Sequence, residues 1–136
     1  MKILVAMDDS SFAKAALNKA LELAAPCKAN ITVVSVVPNL GVVEEMPQKL
    51  VDKLERETEA ALAEAYDKAI KAGVSAETKL LHGASPADAI LEAAKLAKAD
   101  MIVIGSRGKT KVDRFLVGSV ANALVTYAPC SVLVVK

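Results

Sequence analysis

Residues 101–119, Met-Ile-Val-Ile-Gly-Ser-Arg-Gly-Lys-Thr-Lys-Val-Asp-Arg-Phe-Leu-Val-Gly-Ser, decide how the chain is read. The apolar run Met101 to Ile104 has the length and composition of a buried strand. It stops at Gly105, with Gly108 three positions on and Gly118-Ser119 after nine further residues. A strand feeding a glycine-rich anion loop has this form. Glycine carries no Cβ, so at Gly105, Gly108 and Gly118 the backbone can take positive φ and bring main-chain N–H groups close to an anion. Ser119 then opens a helix. The free N–H groups of its first turn and the positive end of its dipole would face the same anion, and the hydroxyl adds a donor.

Glycines can also be plain punctuation between a strand and a helix. Three of them, a Gly-Ser step at a helix start and an apolar strand in front together favour phosphate binding. The spacing is not that of a Walker A loop, because no Gly-Lys-Ser/Thr follows, and it is looser than the dinucleotide Gly-x-Gly-x-x-Gly. Arg107, Lys109, Lys111 and Arg114 place four cations in and around the loop against one acid, Asp113. Arg107, between two glycines, is the first candidate to neutralise a phosphate, and solvated loop charge describes at least two of the four.

Outward from this stretch, strand and helix patterns alternate along the whole chain. Lys2 to Met7 is a nearly unbroken apolar run, as expected of a parallel strand covered on both faces. Asp8-Asp9-Ser10-Ser11 offers N-caps to a helix whose Phe12, Ala16, Ala20 and Leu23 share a face, and Pro26 to Asn30 closes it. One of the two aspartates is spare for a ligand at the C-terminal end of the first strand. Ile31 to Val37 is a second strand, stopped by Pro38. Residues 39–48 form a partly apolar connection, and Gln48 to Ala72 a long amphipathic helix with Leu50, Leu54, Thr58, Ala61, Ala65 and Ala69 on one stripe and a mixed-charge solvent face. Gly73 caps it. Ser75 to Leu81 alternates like a strand at a sheet edge, and His82 to Pro86 is a turn into a helix opened by the capping box Ser85-Pro-Ala-Asp88. His82, with no visible partner, reads as a turn or surface residue. The helix from Pro86 turns Ile90, Leu91 and Ala94 inward. After the loop come a helix from Ser119 to Tyr127 and a last strand, Ser131 to Val135, whose apolar edge calls for a cover. Repeated alternation of this kind predicts one domain, residues 1–136, of the α/β class: an open, twisted, five-stranded parallel sheet with helices on both faces.

On Gly105, Gly108, Gly118 and Ser119, and from the opening Lys2-Ile-Leu-Val-Ala-Met-Asp-Asp-Ser-Ser to the closing Ala128-Pro-Cys-Ser-Val-Leu-Val-Val-Lys136, the chain resembles the universal stress protein family, in its ATP-binding, single-domain form. The resemblance implies a Rossmann-like, adenine nucleotide alpha hydrolase-like fold with strand order 3-2-1-4-5. It implies a site in which Asp8 and Val36, with Ala6 and Met7, hold adenosine, while Ile104, Gly105, Arg107, Gly108, Gly118, Ser119 and Val120 hold phosphates. It further implies ATP or AMP as ligand, Mg²⁺ or Mn²⁺ bridging the phosphates, and a homodimer formed through the last strand. The expected role is a nucleotide-responsive module of a stress response. A slow ATPase and a dimeric interaction module with a vestigial site are the alternatives, and no residue stands out to orient a hydrolytic water.

Composition bounds the remaining classes. With 136 residues, 54% of them hydrophobic, the chain suffices for one well-buried domain. Seventeen basic and sixteen acidic residues leave a formal charge of +1, and aromatics are 3%, so neither nucleic acid nor an anionic membrane is an expected partner. Cys27 and Cys130 are too far apart in sequence for a metal or redox motif and read as buried free thiols. The absence of a leader pattern and of an apolar run near the roughly 20 residues of a membrane span predicts a soluble, cytoplasmic protein.

Overall fold

The structure, a computed structural model, describes residues 1–7, 11–38, 47–107 and 117–136. Among these residues five strands and four helices alternate: β1 (Lys2–Ala6), α1 (Ser11–Cys27), β2 (Asn30–Pro38), α2 (Gln48–Lys71), β3 (Ala76–Gly83), α3 (Pro86–Ala97), β4 (Met101–Gly105), α4 (Ser119–Tyr127) and β5 (Ser131–Val135). All neighbouring strands are parallel, in the order β3-β2-β1-β4-β5, the order the resemblance implied.

Each strand shows its two faces to two different helix layers, because successive side chains alternate sides. Ile3, Val5, Ile31, Val33 and Val103 pack with α1 and α2; Leu4, Ala6, Val34, Ile102 and Ile104 pack with α3 and α4. The central strands are therefore dry on both sides, which is why they read as unbroken apolar runs. The outer strands differ. Glu77, Lys79 and His82 of β3 point to solvent, whereas β5 carries only Val132, Leu133, Val134 and Val135 beyond its first residue, all half-buried.

The buried face of α1 lies at a different phase from the one its periodicity suggested. Ala13, Ala16, Leu17, Ala20, Leu21 and Ala24 form the buried stripe of α1, while Leu23 is 42% exposed and Phe12 only half-buried. An alanine-rich stripe lets a helix lie close to the sheet, and Phe12 is too large for that contact. In α2 the predicted stripe holds in its second half, where Ala65 and Ala69 are buried together with Leu62, while Leu50 at its start is exposed. His82 is not in a turn but in β3, opposite Val37, and its Nε2 lies 2.8 Å from Glu55 Oε1 of α2. Ser85 does cap α3: its Oγ accepts from Asp88 N–H at 3.3 Å, with Pro86 at the first helical position.

The thiols are not equivalent, contrary to the expectation of two buried ones. Cys27 is exposed on the last turn of α1, its Sγ donating to Leu23 O at 3.4 Å, and Cys130 is half-buried before β5. Burial, reinforced by the Asp100 carboxylate and opposed by a backbone hydrogen bond at Ile102, pushes the Cys130 thiol up. Less of it is thiolate at any pH below its pKa. At about pH 8 iodoacetamide should therefore alkylate the exposed Cys27 before Cys130, as followed by peptide mass spectrometry; equal rates would contradict the burial of Cys130.

Three helices end in the same way. After α2, Gly73 takes φ +74°, its N–H bonds Ile70 O at 3.0 Å and Val74 N–H bonds Ala69 O at 2.9 Å, a Schellman closure. Lys28 and Lys98 close α1 and α3 with the same pair of bonds and φ of 53°, but each carries a Cβ in the left-handed region. That conformation costs a non-glycine residue roughly 1 kcal/mol. Lys98→Gly should accordingly stabilise the fold by about 1 kcal/mol and raise Tm by about 4 °C in a chain of this length; an unchanged or lower midpoint in denaturant unfolding would show that the lysine is not strained.

Candidate functional site

Val34, Ala6, Ile104 and Val134 form one row across β2, β1, β4 and β5 at the C-terminal end of the sheet. The described residues that the sequence put in a site lie in this row or just beyond it. Met7 follows β1, with its N–H donating to Val34 O at 2.9 Å, and Val36 extends β2 past that row, half-buried against the α3/α4 side. Gly105 ends β4 and Arg107 follows; Gly118, Ser119 and Val120 open α4. Asp8 and Gly108 lie outside the described residues. The chain leaves β1 for α1 on one face and β4 for α4 on the other, so the crevice between the two strand ends is the switch point where open α/β sheets take ligands.

Gly105 is required by crowding rather than by φ. A Cβ there would lie 2.8 Å from the carbonyl carbon and oxygen of Phe12, so the first turn of α1 rests directly on the end of β4. Among the described glycines only Gly73 has positive φ; Gly118, at φ −61° and ψ 158°, has an ordinary extended backbone. The expectation of positive φ at Gly105 and Gly118 is thus not met. A missing side chain serves here to bring elements together, not to turn the chain.

Ser106, which the sequence reading passed over, ties the loop down. It is 4% exposed; its N–H donates to Val135 O at 2.7 Å and its carbonyl accepts from Gly118 N–H at 2.6 Å. The first bond continues the β4–β5 ladder by one rung, and the second closes a neck that brings the start of α4 beside the end of β4. No side chain caps α4, where Gly118 is the N-cap. Its first N–H groups therefore have no partner within the helix and point, with the positive end of the dipole, at the mouth of this neck.

Arg107 sits at the same mouth. Its guanidinium carbon lies 5.5 Å from the centroid of the Phe12 ring, and its Nε is buried with no hydrogen-bond partner among the described residues. An N–H removed from water without an acceptor costs about 1–3 kcal/mol, so the arrangement favours an added acceptor. Phe12 carried no signal of this role, since helical spacing counted it among the core residues. A separate cleft of about 300 Å³ opens between α1 and α2, lined among others by Met7, Leu17, Ala61 and Lys68. It lies on the sheet face opposite α4, and none of the described phosphate-loop residues lines it.

The family model that matches the chain is described as the universal stress protein family, and it covers residues 1–136. A universal stress protein of Methanocaldococcus jannaschii is 41% identical over 99% of this chain and 81% of its own length. Among solved structures, a universal stress protein from Lactobacillus plantarum superposes with a TM-score of 0.90 at 28% identity, covering 100% of this chain and 97% of the other. The universal stress protein from Archaeoglobus fulgidus, solved in complex with dAMP, superposes with a TM-score of 0.74 at 29% identity, covering 100% and 98%.

The contact at Gly105 can be tested without any ligand. Gly105→Ala forces backbone against backbone and should cost about 2 kcal/mol of stability, in the range of overpacked cores. A denaturant midpoint equal to that of the unaltered chain would mean that α1 does not rest on β4.

Proposed function

Because the chain belongs to the universal stress protein family, we propose that it binds an adenine nucleotide, ATP or AMP, at the C-terminal ends of β1 and β4 and acts as a nucleotide-responsive regulatory module in a stress response. The observation that carries this reading is the neck between Ser106 and Gly118, which puts the uncapped start of α4, Gly105 and the unsatisfied Nε of Arg107 around one mouth. Donors and positive charge converge there with no acceptor of their own among the described residues, which is what a phosphate needs. The dAMP-bound relative supports adenine as the base.

In this reading the phosphates meet Ile104, Gly105, Arg107, Gly108, Gly118, Ser119 and Val120, while Ala6, Met7, Asp8 and Val36 hold adenosine. Mg²⁺ or Mn²⁺, if bound with ATP, would be held chiefly by the nucleotide and would supply neutralisation of its phosphate charge. Residues 1–136 act as one domain, in the cytoplasm; no helix among the described residues is long and apolar enough to cross a membrane. The protein pairs with a second copy through β5. Ser106 bonds the carbonyl of Val135, and alternation along the strand then leaves the N–H and C=O of Val132 and Val134 on the outer edge.

Calorimetric titration with ATP and AMP, with and without Mg²⁺, is the direct test. Binding of either nucleotide is expected, with ATP gaining from the metal; no binding of either at millimolar concentration would end the proposal. Gly118→Asp sharpens it. The φ of −61° suits any residue and aspartate is a good N-cap, so stability should hold within about 0.5 kcal/mol while the added carboxylate repels the phosphate and abolishes binding. Val134→Pro removes an outward-facing N–H without touching the β4 ladder. Sedimentation should show a dimer for the unaltered chain and a monomer for this variant, and a monomer in both would exclude the β5 interface.

A further inference from the structure

The residue whose place nothing above explains is Phe12. It stands at the start of α1 but outside that helix's buried stripe, and it is half-buried where Ala13, Ala16 and Leu17 are dry. A large apolar ring at the mouth of a polar loop needs a reason. The backbone of Phe12 is pinned to β4 by the contact at Gly105, so the ring's origin is fixed relative to the strand that leads into the loop. Over that ring, 5.5 Å from its centroid, lies the Arg107 guanidinium, within the range of a cation–π contact.

We propose that Phe12 is a positioning residue whose ring holds the Arg107 guanidinium face-on, keeping its edge donors and its charge available for a nucleotide phosphate. The inference rests on the nucleotide reading above and deepens it. The chemistry distinguishes an aromatic holder from an acidic one. A carboxylate beside Arg107 would take up the same edge N–H groups that a phosphate uses and cancel the charge. A ring engages only the π face. Among the described residues no ion pair involves Arg107, and its buried Nε is without an acceptor, as this division of labour requires. Desolvation of one face by the ring also restricts the rotamers of a long side chain, so less freedom is lost when the phosphate arrives.

Calorimetry with ATP on the full chain tests this by a double-substitution cycle over Phe12→Leu and Arg107→Gln. Phe12→Leu should weaken ATP binding about fivefold, the scale of a partly desolvated cation–π contact. Phe12→Tyr, which keeps the ring, should restore the affinity, and in the Arg107→Gln background Phe12→Leu should have no further effect. A merely structural role would give additive losses and no dependence on Arg107. Thermal unfolding of each variant establishes that it is folded, and Phe12→Met replaces Phe12→Leu if the latter is not. Additive losses, or unchanged ATP affinity in Phe12→Leu, overturn this inference alone. If the unaltered chain binds no nucleotide, the reading of the site falls and the role of Phe12 falls with it.

Discussion

Burial of β1 and β4 on both faces is the constraint from which the rest of the structure follows. A strand with helices above and below has no water to satisfy its backbone, so its N–H and C=O groups must be paired on both edges. β1 meets this by lying between β2 and β4, and β4 by lying between β1 and β5. Two helix layers are then obligatory, with α1 and α2 on one side and α3 and α4 on the other. The chain must leave β1 and β4 in opposite directions, and a crevice opens at their ends as a geometric consequence of dry packing.

What fills that crevice with chemistry is a set of close approaches rather than a set of reactive groups. Gly105 lets α1 descend onto β4, Ser106 continues the ladder to β5, and the bond from Gly118 N–H to Ser106 O draws in the start of α4. Four elements thus converge within a few residues. Among the described residues, a helix start without a side-chain cap and Arg107 over the ring of Phe12 bring positive charge to the crevice. Such a site is suited to holding a charged ligand in place.

The two edges of the sheet are managed differently. At β3 the outward residues Glu77, Lys79 and His82 are charged or polar, Glu77 accepts from Thr32 Oγ1 at 3.2 Å, and Glu55 of α2 folds over to His82. Charge at an edge discourages pairing with another strand. At β5 the sequence after Ser131 is wholly aliphatic and half-buried, with no comparable guard among the described residues. The physical contrast leaves β5, which also carries the anchor of Ser106, as the less guarded edge.

The sequence by itself determined the elements and their layers, because an apolar run of five residues or a repeating polar and apolar face carries its own signal of burial. Every strand and helix it predicted is present, and Ser85 caps α3 as its spacing to Asp88 suggested. It could not set the phase of α1. Alanine and leucine look alike to a periodicity argument, and only the closeness of helix to sheet decides that Ala13 and Ala24 go inside while Phe12 and Leu23 do not. Nor could it see contacts made across long separations, such as Phe12 with Arg107, His82 with Glu55, or Ser106 with both Val135 and Gly118. The reason Gly105 must be glycine belongs to this second kind. Its need comes not from its own backbone angles but from a helix that begins some ninety residues earlier in the chain, and only the folded chain brings the two together.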